Sequence, residues 1–454
     1  MQKTGVATFQ ARAGLAKVLL SQVEQASPRG TLRRAAAIGL DLSGFQPAPA
    51  LGDRVEIATD AGPLAAEVVA VGPEGARALA LGRAGRARAG QPARLLGPGR
   101  LAVSDDWLGR VLDPLGAPLD GRPAPRPGVV ARPLHAEPPP AGGRARLGPR
   151  IGLGVRALDL FATLREGQRI GLFAASGIGK STLLSMLARA PGFDVAVLGL
   201  VGERGRELRE FVEDDLGAEG LARSVVVCAT SDAAATIRRE AALTAMTIAE
   251  HFRDEGKRVL LLLDSVTRFA LACREIGLAA GEPPATRGHP PSVFAELPRL
   301  LERAGPGEDG CAGSITLLAT VLVEGDDHDE PIADAVRGIL DGHVVLDRVI
   351  AERGRYPAVD VLRSLSRTVP GCLAPEEAEA MRRARALLAL AADMADMVRL
   401  GAYRAGTDAA VDEALRLAPR IEALLAQRKD EPHEAVADSF ARLAAAMTEA
   451  PDGA

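Results

Sequence analysis

Aromatic residues are scarce in this chain: 3% of 454 positions, with one tryptophan, two tyrosines and ten phenylalanines. A protein that grips single-stranded nucleic acid needs rings on which bases can stack, so that role starts at a disadvantage. Cysteine is scarce as well. The four present (Cys228, Cys273, Cys311, Cys372) form no C-x-x-C pair and no zinc-ligand spacing, which argues against a disulfide framework and for a reducing compartment. No apolar run approaches the ~18 residues of a membrane-spanning helix, and the opening MQKTGVATFQ lacks the apolar stretch of a secretory signal. Nor does one sign of charge dominate: 55 basic residues against 59 acidic ones leave a net −4, with no overall drive toward nucleic acid or membrane. What is left, 47% hydrophobic and 25% charged, reads as an ordinary globular protein, expected in the cytoplasm with about three domains.

The stretch around which the rest is organised is Arg169–Leu184, RIGLFAASGIGKSTLL. A short apolar run leads into a loop of small residues, and a leucine-bearing helix follows, the layout of a phosphate-binding P-loop. Backbone N–H groups at such a helix start converge on an anion and the helix dipole adds positive potential. Ser176, Gly177, Ile178, Gly179, Lys180, Ser181 and Thr182 form the predicted cradle. Lys180 would reach the β- and γ-phosphates of ATP, and the Ser181 hydroxyl would take a place on Mg²⁺. The general pattern G-x-x-x-x-G-K-[ST] opens on glycine, whereas this chain has Ala174 there. A chance glycine turn is the bland alternative, and the strand–loop–helix context speaks against it.

Further features converge on that loop. Arg258–Asp264 is a buried-strand run ending in an acid, the Walker B arrangement in which Asp264 holds Mg²⁺; an acid capping the next helix is the alternative. In Gly202-Glu203-Arg204-Gly205-Arg206-Glu207, Glu203 can polarise an attacking water and Arg204 can pair with the γ-phosphate. An exposed, charged helix start fits the same residues. Tyr356, one of two tyrosines and followed by a proline, reads either as a base-stacking platform or as a ring packed in a turn. Arg367 takes no role from spacing. The acidic run Glu324–Glu330 resembles a metal site, but His328 has no partner histidine, so a second dedicated metal is not expected.

In chain order, residues 1–27 read as an arm whose Leu15, Val18, Leu19 and Val23 recur at helical spacing, either folded back or docking a partner. Residues 28–103 carry short apolar runs punctuated by Gly, Asp and Pro, the rhythm of a small antiparallel barrel. A connector (104–150) leads into alternating strands and helices to residue 370, which predicts an α/β core with a mostly parallel sheet. Residues 371–454 are alanine-rich and helical, with Met381, Met394, Met397 and Met447 read as core filler.

These residues resemble the type III secretion ATPases, homologues of the catalytic subunit of rotary ATP synthases, and most of all the flagellar export branch. The likeness rests on GRVLDPLGAPLDG (109–121), GQRIGLFAASGIGKST (167–182), GLVGERGRELREF (199–211) and LLLLDSVTRFA (260–270). It continues through GEPPATRGHPPSVFAELPRLLERAG (281–305), VLVEGDDHDEPIADAVRGILDGHVVL (321–346), RYPAVDVLRSLSR (355–367) and RLGAYRAGTD (399–408). The resemblance implies a RecA-like P-loop NTPase core between an N-terminal β-barrel and a C-terminal helical domain, assembled as a homohexameric ring. It implies ATP between subunits, with Lys180, Ser181, Glu203, Arg204, Asp264 and Tyr356 from one protomer and Arg367 as an arginine finger from the next. A stalk-like regulator would meet the N-terminal arm. Chaperone–substrate complexes and a membrane-embedded export gate would meet the C-terminal helices, placing the protein at the cytoplasmic base of the flagellar export apparatus, peripheral to the membrane and without nucleic acid. A virulence injectisome is the alternative setting; a silent ring subunit or an RNA translocase are rivals of another class, against which Glu203 and the ring-poor barrel respectively speak. Two departures stand out: Ala175 where the family has glycine, and His289 where it has tyrosine.

Overall fold

The computed structural model describes residues 27–36, 38–175, 177–323 and 330–448. The expected arm (but for Ser27), Ser176 of the phosphate loop and the acidic run Glu324–Asp329 lie outside the described residues. The chain divides into two compact units, Met1–Gly99 and Arg100–Ala454.

The first unit holds β1 (Arg29–Ala36), β2 (Gly39–Ser43), β3 (Asp53–Thr59), β4 (Gly62–Gly72), β5 (Gly75–Ala80) and β6 (Pro92–Pro98). They close into an antiparallel barrel in the order β1-β2-β5-β4-β3-β6. The period of two is plain in the pairs Leu40/Leu42, Val55/Ile57 and Ala76/Ala78, which point inward to fill a barrel too narrow for anything but side chains. Among the described residues its interior carries a single aromatic ring, Phe45.

In the second unit β7 (Arg110–Leu112), β8 (Arg169–Ala174), β9 (Val195–Glu203), β10 (Ser224–Thr230), β11 (Arg258–Asp264), β12 (Ser314–Leu322), β13 (Gly342–Leu346) and β14 (Val359–Ser366) make one sheet. Its order is β14-β13-β8-β12-β11-β9-β10-β7, parallel except for the antiparallel edge strand β14, and the short strand Gly305–Pro306 adds an antiparallel pair to β12. Strands buried on both faces read as continuous apolar runs, and Val259–Leu263 on β11 are all buried. Helices α1 (Lys180–Ala188), α2 (Ala235–Asp254), α3 (Val266–Ala280) and α4 (Pro291–Leu301) are among those connecting the strands. Deep under α2, Arg303 donates to both Glu250 oxygens (2.8 and 2.7 Å), to Thr247 and to the Leu134 carbonyl, so a fully buried cation is satisfied on every side.

Three helices end the described residues: α5 (Pro375–Arg399), α6 (Ala409–Leu425) and α7 (Val436–Thr448). The Glu377 carboxylate accepts the Ala374 N–H at the start of α5, with proline at its first position, and Asp408 caps α6. Leu417, Ile421 and Leu424 on α6 and Phe440, Leu443 and Met447 on α7 recur every three or four residues, which turns one stripe of each helix inward. Met381 and Met447 fill that core as expected, but Met397 does not: it is exposed with Val398 and Leu400 at the far end of α5. The physical reason is that α5, at 25 residues, outruns the elements it packs against.

Candidate active site

The phosphate loop leaves the carboxyl end of β8, in the middle of the sheet, and turns into α1 at Gly179, whose φ of +84° is open to glycine at little cost. The first intrahelical acceptor, the Gly179 carbonyl, takes the Leu183 N–H, so the amides of Lys180, Ser181 and Thr182 have no partner within the helix. They line an open cleft of about 700 Å³ together with Ala175, Gly177, Glu203, Arg204, Glu207, Arg268, Leu322, Val323 and Arg348. Residue pairing explains the convergence. Ala174 pairs with Leu322, Leu263 with Ala319 and Leu200 with Asp264, so β8, β12, β11 and β9 all end on the same side.

Lys180 Nζ lies 2.5 Å from Asp264 Oδ1 and 3.8 Å from Glu203 Oε1. The strand between the loop and the acid contributes too: Thr320 on β12 donates to Asp264 Oδ1 at 2.7 Å and holds the carboxylate in place. Glu203 ends β9, and its Oε1 is buried with no hydrogen-bond partner. Burial, and then the neighbouring Asp264 charge, push the Glu203 carboxyl up from its ordinary value, while Lys180 and Arg268 pull it down. Arg268 stands 3.6 Å from Glu203 and donates to the Gly202 carbonyl, fixing the strand end that presents the carboxylate. Gly202 itself has φ +69°, and a Cβ there would lie 3.1 Å from the Arg268 side chain. The arrangement can bind a polyphosphate, hold a divalent cation on oxygen donors and orient a water beside a buried carboxylate.

Of the residues singled out in the sequence, Gly177, Gly179, Lys180, Ser181, Thr182, Glu203 and Arg204 line this cleft, and Asp264 touches Lys180. Ile178, another loop residue, points into the core instead, 2% exposed. The Arg204 side chain stays at the mouth, 74% exposed and paired with Glu207 at 3.1 Å. The Tyr356 ring lies against the loop: a Cβ placed on Gly179 would sit 3.2 Å from it. Arg367 is elsewhere. Val359 pairs with Leu346 and Ser366 with Gly342, so antiparallel β14 starts near the loop and ends at the amino-terminal ends of the parallel strands, away from it. Their partners Leu346 and Gly342 are four strand steps apart, so at ~3.3 Å a step the Arg367 end of β14 lies on the order of 13 Å along the sheet from the end that meets the loop.

Arg268, Thr320 and Arg348 were not singled out in the sequence. Arg268 follows Asp264 by four residues, one turn into α3, and that spacing from the strand-end acid was the available signal. Thr320 sits in an apolar strand and Arg348 starts a one-turn helix, and neither carries a local mark.

Among the described residues the only non-glycine with positive φ is Arg287, so Ala175 holds ordinary backbone angles, 7% exposed against the core. Ala175→Gly is therefore expected to lower stability by a few tenths to ~1 kcal/mol through added unfolded-state entropy. The urea midpoint reads this directly, and a rise would mean that the loop wants a left-handed residue there. His289 is buried with its ring edge-on to Phe294.

Comparison with known proteins meets this geometry from outside. Residues 154–366 match the nucleotide-binding domain of the ATP synthase alpha/beta family, and residues 373–445 match the T3SS EscN ATPase C-terminal domain. A protein named Flagellum-specific ATP synthase from Caulobacter vibrioides is 51% identical over 94% of this chain and 98% of its own length. The Type 3 secretion system ATPase of Xanthomonas euvesicatoria is 52% identical over 74% of this chain and 76% of its own. The assembled ATPase EscN of the enteropathogenic E. coli type III secretion system, solved in complex with its central stalk EscO, superposes with a TM-score of 0.83. It is 37% identical, covering 92% of this chain and all of that one. The chain belongs to the ATP synthase alpha/beta family, within its flagellum-specific and type III secretion ATPases.

Proposed function

We propose that this chain hydrolyses ATP to energise type III export of flagellar proteins, as a ring of identical subunits with ATP bound between neighbours. The observation that carries the reading is the buried Glu203 oxygen, without a hydrogen-bond partner, beside Lys180 and the free amides of the phosphate loop. A silent subunit would have no use for an acid held ready there.

The steps follow from the site. The amides of Lys180–Thr182 take the β-phosphate, and Lys180 exchanges Asp264 for the β- and γ-oxygens. That ion pair keeps a buried ammonium satisfied while no phosphate is present. Ser181 and Asp264 offer only hard oxygen donors, which suits Mg²⁺; Asp264 Oδ1 takes the Lys180 and Thr320 bonds and Oδ2 takes neither. Bound there, Mg²⁺ would neutralise charge on the β- and γ-phosphates. Glu203 orients and polarises the water that attacks the γ-phosphorus, steadied by Arg268. Arg204, exposed at the mouth, can swing from Glu207 to the γ-phosphate. Tyr356 stacks on the adenine, and Arg367 of a neighbouring subunit approaches the γ-phosphate.

Self-assembly and a stalk-like regulator are supported by EscN, solved assembled and with its stalk. The arm at residues 1–27 would meet that regulator. The exposed Met397, Val398 and Leu400 at the α5 tip suit chaperone–substrate complexes and the export gate. Among the described residues no helix is long and apolar enough to cross a membrane, which fits a cytoplasmic protein peripheral to the base of the export apparatus. The near end-to-end likeness to a flagellar relative favours flagellar export; the injectisome reading rests on the Xanthomonas relative.

ATPase activity measured against protein concentration, with and without RNA, tests the reading. Specific activity should rise steeply with concentration and ignore RNA. Activity independent of concentration, or stimulated by RNA, would contradict it.

A further inference from the structure

The loop that carries Tyr356 is not free to set its own position. Arg355, 8% exposed, donates through Nη1 to the Pro357 carbonyl (3.0 Å) and through Nη2 to the Val359 carbonyl (2.8 Å). Its Nε faces Glu422 Oε2 on α6 at 2.7 Å. One planar cation therefore shapes the turn around Tyr356 and ties it to the C-terminal helices. A second tie comes from the chain just past α6, where the Gln427 N–H donates to the Tyr356 carbonyl at 2.8 Å. Gln427 is itself locked: its side chain accepts the Arg156 N–H at 3.0 Å and donates to the Gly154 carbonyl at 2.8 Å. Arg156 in turn donates to the Leu424 and Ala426 carbonyls (2.7 and 2.6 Å) and pairs with Glu431 at 2.9 Å.

The ring that lies against Gly179 is thus held on one side by its own strand and on the other by the carboxyl end of α6. We infer that Arg355 and Glu422 are positioning residues for the nucleotide base, so that the placement of α6 sets how well Tyr356 closes on adenine. The inference rests on the reading of Tyr356 as the adenine platform. It asks nothing of the phosphate end of the site, which α1 and the strand ends build on their own. Base affinity is then sensitive to α6, and hydrolysis of bound ATP is not.

Glu422 is the residue to change, because its side chain is 45% exposed and its loss opens no cavity, whereas Arg355 is buried on two carbonyls. Glu422→Ala should raise KM for ATP and Kd for ADP roughly three- to tenfold, the scale of one aromatic stacking contact. The turnover number should stay within about twofold, and Kd for tripolyphosphate, which has no base, should not move. Glu422→Gln keeps an acceptor of the same shape and should fall between the two. In a Tyr356→Ala background, Glu422→Ala should add nothing. An unchanged KM in Glu422→Ala, with KM raised by Tyr356→Ala, would overturn the tie and leave the platform standing. Equal losses for ATP and tripolyphosphate would overturn it as well. If Tyr356→Ala changes neither affinity, the platform reading falls, and the tie with it.

Discussion

Glu203→Gln is expected to bind ATP and leave it unhydrolysed. Glutamine has the same shape, and the loop amides and Lys180 proposed to hold the phosphates are untouched, as is Asp264, proposed for Mg²⁺, so nucleotide affinity should stay close to that of the parent. The chemistry should not. A carboxylate can accept hydrogen bonds from water on either oxygen and carries the charge that polarises it, whereas an amide offers one acceptor and no charge. Loss of a positioned general base costs typically 10²–10⁴ in rate, and the expected fall in turnover is of that order. The structure makes the dependence steep, because the carboxylate is buried and its Oε1, though near the Lys180 and Arg268 charges, makes no hydrogen bond that a water would have to displace. Nucleotide binding by fluorescence and phosphate release on the same preparation settle the matter: tight binding with near-normal turnover would remove Glu203 from the mechanism.

Arg367→Ala should cost more, about 10³–10⁵ in turnover, the usual worth of an arginine finger. The argument is geometric. Tyr356 and Arg367 flank the same edge strand, so if one end of β14 serves the nucleotide of its own chain, the other end faces away from it. Arg367 is exposed, and its N–H is fixed to the Asp341 carbonyl at 2.9 Å, so the side chain projects from a rigid strand end toward whatever lies beyond the sheet edge. Rings should still form, since one exposed side chain is lost, and ATP affinity should change little compared with turnover. A loss of affinity equal to the loss of turnover would instead describe a ground-state phosphate contact.

Much of this was legible in the chain. The central strands of the sheet are apolar runs, which local pattern marks well, and the loop and Asp264 announce themselves by spacing. The first two barrel strands were not legible. In β1, RGTLRRAA, only Leu32 is buried, so there is no alternation to read, and β2 is five residues long. The barrel closes through neighbours, and pairing is a tertiary fact. In the site, sequence could name Glu203 but not what steadies it. Arg268 reaches it across a strand boundary, and Thr320 reaches Asp264 from the strand next to it. Arg204 looked equivalent to Glu203 in the string GERGRE, yet the strand ends between them: Glu203 is still in the sheet, and Arg204 precedes a surface helix. The ties from α6 to Tyr356 join residues some 70 positions apart and leave no local trace.

The central claim is a site completed by a neighbouring copy, and mixing tests it most directly. Glu203→Gln and Arg367→Ala are each expected to be inactive, for a different reason. In mixed rings some interfaces join an intact Glu203 from one protomer to an intact Arg367 from the next, and those are chemically wild type. Co-expressing the two, with one tagged and the other recovered by pull-down, should restore part of the ATPase activity that neither has alone. Mixed rings, verified in this way, that remain inactive would contradict the account, because a finger acting on its own chain's nucleotide leaves every protomer short of one group.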